Sequence, residues 1–96
     1  MTVELTPEAE EDLSAIYHWY SDKGLGVADE FLRAFVACAA SIERFPESYP
    51  EVHRHFRRAV LRRFPDNVFY VPTGRTVYIH AIFHSKMHPH AWRRDP

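Results

Sequence analysis

The spacing of the apolar residues changes from a helical period to a strand period near residue 50, and this change limits the fold more than any other feature of the sequence. Before it, residues three or four positions apart mark the buried face of one helix: Leu13, Ile16, Tyr17 and Tyr20. A second stripe has the same spacing and comprises Phe31, Phe35, Cys38, Ile42 and Phe45. After residue 56 the apolar positions alternate, as they do in strands.

Turn and capping residues divide these patterns into elements. Thr6-Pro7 is a good helix start, because threonine caps a helix and proline is tolerated at its first position. Gly24 and Gly26 end the first helix, and Pro46 stops the second. The predicted order is a strand at residues 2–5, a helix to about residue 24, a helix at residues 27–45, and strands at residues 57–64, 68–71 and 76–84.

This order, β-α-α-β-β-β, predicts an α+β fold for residues 1–96 as a single domain. Strands joined by tight turns form an antiparallel meander, and the helical hairpin packs on one face of that small antiparallel sheet. In the last strand, alternation groups Val77, Ile79, Ala81 and Phe83 on one face. The opposite face is then expected to be aromatic, basic and partly apolar, with Tyr78, His80, Ile82 and His84 near arginines of the first strand of the meander.

Charge is distributed unevenly along the chain. Residues 1–52 contain 11 acidic and three basic side chains, a net charge of −8, whereas residues 53–96 contain nine basic and two acidic side chains, a net charge of +7. Such asymmetry indicates that the second half binds an anionic partner. Nucleic acid is the first candidate and an acidic protein segment is the second.

The basic side chains of this half include five arginines within ten residues: Arg54, Arg57, Arg58, Arg62 and Arg63. Arginine binds phosphate or carboxylate through two parallel hydrogen bonds and stays charged at physiological pH. Alternation predicts Arg58 and Arg62 on one face of a strand and Arg57 and Arg63 on the other. For each arginine alone a solvated ion pair is the simpler interpretation, but the cluster favours a partner-binding surface.

His84 and Lys86 add candidate acid–base groups. RNA cleavage through the 2′-hydroxyl needs a base, a group that neutralises the charge on phosphorus, and an acid for the leaving oxygen. His84, Lys86, Arg58 and Arg62 are the candidates for these catalytic roles if the protein is a nuclease. The alternative is that His84 hydrogen-bonds the C-terminal segment and packs beside Trp92, which itself either caps the sheet or contacts a partner.

Other functional classes receive little support from the sequence. Cys38 lies on an apolar helix stripe, which favours a buried side chain. It is the one cysteine, which favours a reducing, cytoplasmic location. Neither a signal peptide nor a membrane-spanning run is expected. The histidines lack cysteines or carboxylates at ligand spacing, so we expect neither a metal nor another cofactor.

Six stretches, in this order, resemble the RelE/ParE superfamily of toxins and span nearly the whole chain. They are residues 5–13 (Leu-Thr-Pro-Glu-Ala-Glu-Glu-Asp-Leu), Ala28-Asp29-x-Phe31-Leu32, residues 57–65 (Arg-Arg-Ala-Val-Leu-Arg-Arg-Phe-Pro), Val68-Phe69-Tyr70, residues 77–84 (Val-Tyr-Ile-His-Ala-Ile-Phe-His) and Pro89-x-x-Trp92. The chain departs from the family at Asp66, where a tyrosine is common, and at Lys86-Met87, where many relatives have two arginines.

The resemblance implies the toxin component of a type II toxin–antitoxin system, held in a hetero-oligomer by an antitoxin with a disordered tail that folds on the toxin. It is closer to the ParE-like, plasmid-stabilisation branch, whose members poison DNA gyrase. The alternatives are a RelE-like toxin that cuts mRNA on the ribosome and a non-toxic relative that retains antitoxin binding. The residues expected to bind the antitoxin or target are Arg57, Arg58, Arg62, Arg63, Phe31, Phe35 and Trp92.

Overall fold

The change in apolar spacing separates two helices from a sheet, as predicted. The computed structural model describes residues 1–85; Lys86 and Trp92 lie outside the described residues. The helices are α1 (Pro7–Ser21) and α2 (Val27–Arg44), and the strands are β1 (Thr2–Leu5), β2 (Glu51–His53), β3 (Phe56–Val60), β4 (Asp66–Thr73) and β5 (Thr76–His84). The predicted α+β class is confirmed.

The strands form one sheet in the order β1-β5-β4-β3-β2. β1 runs parallel to β5, and the other neighbours are antiparallel, so the sheet is mostly antiparallel. β2 is one strand more than the sequence predicted, because its three residues are too few to show alternation. β3 ends at Val60 and not at residue 64, because a turn begins where the Leu61 amide donates to the carbonyl of Asp66 at 3.0 Å.

The Thr6-Pro7 signal starts the first helix as predicted, whereas Gly26, expected in the turn after that helix, begins the second. The Thr6 hydroxyl caps α1 by accepting a hydrogen bond from the Ala9 amide at 3.1 Å, and Pro7 occupies the first turn. Gly26 caps α2 with a φ of +79°, a left-handed conformation that glycine adopts without steric cost. The short connection between Ser21 and Val27 makes the two helices an antiparallel hairpin.

The main core lies between this hairpin and one face of the sheet. Apolar side chains from both helices meet alternate residues of β4 and β5 there. The residues buried in this layer include Ala9, Ile16, Tyr20, Phe31, Phe35, Ile42, Val68, Tyr70, Val77, Ile79 and Ile82. Neither helix is long and apolar enough to cross a membrane, and among residues 1–85 no group of three His, Cys, Asp or Glu side chains is placed to hold a metal ion.

A β-bulge in β5 interrupts the predicted alternation. Ala81 lies opposite Phe69, but the next pair is Ile79 with Tyr70, so His80 is an extra residue in β5. Beyond the bulge the faces are exchanged: Ile82 enters the main core, while Ala81 joins a second cluster on the opposite face. The prediction that Ala81 shares a face with Ile79 is therefore wrong.

The Asp12 carboxylate of α1 satisfies the backbone just beyond this bulge. β1 pairs with β5 only as far as Ile79, so within residues 1–85 no strand lies beside the later residues of β5 on that side. Asp12 Oδ2 accepts a hydrogen bond from the Ile82 amide at 3.1 Å and thereby joins the helix to the sheet.

We expect Asp12→Ala to lower the free energy of unfolding by about 1–3 kcal/mol, because a partly buried amide loses its acceptor. Asp12→Asn retains a carbonyl oxygen and should lose less. Urea denaturation of both variants measures the difference. Equal losses would indicate that the negative charge near the helix N-terminus matters more than the hydrogen bond.

Candidate functional site

Arg57 is engaged within the chain. Its guanidinium donates to the carbonyl oxygens of Tyr49 at 2.6 Å and Glu47 at 3.2 Å, and it pairs with the Glu51 carboxylate at 3.4 Å. These bonds hold the loop after α2 against β3. Tyr70 strengthens the same attachment by donating to the Pro46 carbonyl at 2.6 Å. Arg57 thus has a structural role within the chain.

Arg58 lies on the sheet face opposite the helices. Its neighbour Ala59 belongs to the main core, whereas Phe56 belongs to the second cluster, and alternation puts Arg58 on the side of Phe56. The Arg58 side chain is exposed. This face was expected to be aromatic, basic and partly apolar, and its centre is an apolar cluster of Phe56, Phe69, Val71 and Ala81.

His84 lies on the helix side of the sheet, contrary to the predicted alternation. It pairs with Asp66 across β4 and β5, and its ring centroid lies 6.2 Å from that of Trp19 on α1. Arg58 and His84 are therefore on opposite faces. Arg62 lies in the turn between β3 and β4, and Lys86 lies outside the described residues. Of the four predicted nuclease residues, the structure describes Arg58, Arg62 and His84. These three side chains do not converge on one point.

The most unusual polar group beside His84 is a buried carboxylate. Asp66 is 0% exposed, and its Oδ2 accepts a 2.6 Å hydrogen bond from the Tyr20 hydroxyl. Oδ1 has no hydrogen-bond partner among the described residues. Burial raises the pKa of Asp66, while the Tyr20 hydroxyl and the charge of His84 act in the opposite direction and lower that pKa. The same burial and hydrogen bond raise the pKa of Tyr20.

In the sequence, Asp66 is conspicuous only because it replaces a tyrosine that is common in the family it resembles. Its partner lies 46 positions earlier in the chain, so local patterns carried no signal for the pair. Tyr20 also packs against Phe31 and Phe64, with ring centroids 5.1 Å away in both cases. The pair therefore connects α1, α2 and the turn that precedes β4.

Exposed aromatic and basic side chains surround this buried pair at one end of the sheet. Trp19 is 51% exposed, and the Lys23 ammonium lies 4.3 Å from the centroid of its ring. The β3–β4 turn, which presents Arg62 and Arg63, reaches the same end, because the Ser85 amide donates to the Pro65 carbonyl at 2.7 Å. We call Trp19, Lys23, Arg62 and Arg63 the basic end.

A second candidate surface is a shallow, open apolar depression lined by residues of both helices. It has a volume of about 310 Å³ and is lined by Glu10, Leu13, Ser14, Tyr17 and Leu32. We call it the hairpin groove. Phe31 and Phe35, which were expected to bind a partner, are only 0% and 5% exposed. They belong to the core, so this expectation is corrected: the stripe that made them conspicuous is the buried face of α2.

Comparisons with known proteins agree with this fold. The family model described as "ParE toxin of type II toxin-antitoxin system, parDE" matches residues 3–89. The chain is 29% identical over 83 residues to "Toxin ParE2" of Mycobacterium tuberculosis strain H37Rv, with 85% of this chain and 79% of that protein covered, and the same values hold for strain CDC 1551 / Oshkosh. A chain from the structure "Chromosomal ParDE TA system from P. aeruginosa" has the same fold, with a TM-score of 0.64, 22% identity, and coverage of 88% of this chain and 95% of that one. The chain therefore belongs to the ParE toxin family of type II toxin–antitoxin systems.

Proposed function

We propose that this chain is a growth-inhibiting toxin that acts on DNA gyrase in the cytoplasm and is neutralised by a cognate antitoxin. The single observation that supports a protein target over RNA cleavage is the separation of Arg58 from His84. Arg58 extends from the face opposite the helices, whereas His84 lies beside Trp19 on the helix side. The proposal treats residues 1–96 as one toxin domain.

Cleavage of RNA requires its acid–base and charge-stabilising groups to reach one phosphate together. Each group must come within about 3 Å of the atom on which it acts. A sheet separates Arg58 from His84, so one phosphate cannot contact both. The carboxylate nearest to His84 is Asp66, which is buried and bonded to Tyr20. This arrangement supports inhibition by binding and gives no support to a nuclease mechanism.

The hairpin groove is the surface that best fits the antitoxin. Its lining is almost entirely apolar, with Leu13 and Leu32 on opposite helices and Tyr17 between them. An amphipathic helix buries apolar side chains in such a groove through residues spaced three or four positions apart. Because apolar burial depends weakly on ionic strength, we expect added salt to change the dissociation rate of the antitoxin little.

The test is expression of the chain alone, with gyrase supercoiling and cellular mRNA integrity measured in the same cells. We expect supercoiling to be lost while mRNA stays intact. Arg58→Ala should leave the inhibition of supercoiling unchanged. Arg58 is exposed and belongs to neither the basic end nor the hairpin groove, so its removal should have little effect. Circular dichroism of the purified variant controls for folding.

The other outcomes would favour the alternative functions. Cut mRNA with normal supercoiling, abolished by both Arg58→Ala and His84→Ala in folded protein, would identify an mRNA endonuclease and refute the proposal. Normal growth, intact mRNA and normal supercoiling together with tight antitoxin binding would identify a non-toxic family member.

A further inference from the structure

The basic end brings together side chains from two distant parts of the chain. Trp19 belongs to α1 and Lys23 follows that helix directly, whereas Arg62 and Arg63 belong to the β3–β4 turn. Packing of Tyr20 on Phe64 fixes the helix end beside the turn. We propose that the basic end is the surface that binds an acidic segment of the target protein. This inference rests on the proposed function, because it assigns the contact through which the toxin inhibits its target.

Arg63 provides the first argument, because its backbone is strained. Its φ is +68°, in the left-handed region that residues with a Cβ atom rarely adopt. Glycine would occupy this position without strain. The Arg63 side chain is exposed, and none of the hydrogen bonds or ion pairs within residues 1–85 uses its guanidinium. A strained residue whose side chain does not stabilise its own fold indicates a function outside the fold.

Trp19 provides the second argument. Half of its surface is exposed, and tryptophan and arginine are the residues that most often dominate the energy of a protein interface. The ring is held in place by Tyr20, whose centroid is 5.0 Å away in an edge-to-face contact, and by Lys23 over its face. A side chain fixed in this way loses little conformational entropy when a partner binds.

The placement of Lys23 favours a protein carboxylate over a nucleobase. Stacking of a base on the Trp19 face would displace the ammonium that lies 4.3 Å from the ring centroid, whereas a carboxylate would pair with that ammonium. A short acidic segment with one apolar side chain would match the three cations and the exposed indole ring of the basic end.

The sharpest test compares two identical substitutions at opposite ends of the sheet. Arg63→Gly removes the guanidinium and also the backbone strain. Arg54→Gly does the same in the β2–β3 turn, where Arg54 has a φ of +51°. We expect Arg63→Gly to unfold at an unchanged or higher temperature, because strain is relieved, yet to need about tenfold more protein for half-inhibition of supercoiling. Arg54→Gly should inhibit like the parent chain.

If Arg63→Gly and Arg54→Gly inhibit supercoiling equally, the inference that the basic end binds the target is overturned, while gyrase remains the target. If the parent chain arrests growth without inhibiting gyrase, the gyrase proposal fails. The inference about the basic end then holds if Arg63→Gly arrests growth more weakly than Arg54→Gly, and it fails if the two variants are equal. If the parent chain has neither effect, both proposals fail.

The acidic nature of the partner is tested by fluorescence anisotropy with labelled poly-L-glutamate and with a labelled single-stranded oligonucleotide of equal charge. We expect poly-L-glutamate to bind the parent chain and Arg54→Gly, and to bind Arg63→Gly several-fold more weakly. Tighter binding of the oligonucleotide through Arg63 would overturn the assignment to an acidic protein segment.

Discussion

We expect Phe31→Ala to lower the free energy of unfolding by about 3–5 kcal/mol, a large part of the total for a domain of this size. Phe31 is fully buried, and its ring packs between Tyr20 and Phe64, with centroids 5.1 and 5.8 Å away. Removing the ring leaves a cavity where both helices meet the β3–β4 turn. Chemical denaturation of the purified variant measures the loss.

Leu32→Ala is the matched control, because Leu32 is the next residue of the same helix and is 37% exposed. It should cost about 1 kcal/mol or less while weakening the antitoxin, since Leu32 lines the hairpin groove. Phe31→Leu should keep the fold and antitoxin binding. Loss of antitoxin binding by a stably folded Phe31→Leu variant would show that Phe31 contacts the partner directly and would contradict its assignment to the core.

The second large effect is expected from Tyr20→Phe. The hydroxyl of Tyr20 is the hydrogen-bond donor to the buried Asp66 carboxylate, and its removal leaves that carboxylate without this bond. A hydrogen bond to a charged group contributes about 1.5–3 kcal/mol, so we expect a loss of this size at a pH above the folded-state pKa of Asp66. Tyr20→Phe combined with Asp66→Leu should recover most of the loss, because neither partner then remains buried and unpaired.

The pH dependence of this effect has a definite sign. Burial raises the pKa of Asp66 in the folded state, so the folded protein holds the Asp66 proton more tightly than the unfolded chain does. The stabilisation from this proton is complete below the unfolded pKa of about 4 and is lost as the pH rises through the folded pKa. Asp66→Asn cannot ionise, so its stability should rise relative to the parent chain across that interval.

Denaturation midpoints of the parent chain and Asp66→Asn, measured from pH 3.5 to pH 8, test this assignment. A constant difference between the two would contradict it. Tyr20→Phe should also lose less at the acid end of the series, because the hydrogen bond to a neutral carboxyl group is weaker than the bond to a carboxylate.

Periodicity predicted the helices and most of the sheet because each long element buries one continuous face. The last strand, Thr76–His84, has the bounds that alternation gave it. The faces were wrong beyond Ile79, because either Ala81 or Ile82 can continue an apolar alternation in the sequence. In the structure, Phe69 pairs with Ala81 and Tyr70 pairs with Ile79. These two pairs show that His80 is an extra residue.

The candidate site was less predictable than the fold, because its contacts are distant in sequence. The arginine cluster was correctly seen as unusual, but β3 ends at Val60, which removes Arg62 and Arg63 from the strand. The intrachain bonds of Arg57 depend on where the loop after α2 lies, and local patterns do not give that position. The burial of Asp66 depends on Tyr20 in the same way.

The parallel pairing of β1 with β5 has a consequence for the newly made protein. Thr2 lies beside Thr76, so β1 can pair with β5 only after both helices and the other strands have been synthesised. Contacts between such distant residues slow folding. A chain truncated before β5 lacks the neighbour of both β1 and β4, and its helical hairpin has no complete sheet to cover. We therefore expect fragments that end before β5 to remain unfolded and to be degraded, because the complete sheet forms only after β5 has been synthesised.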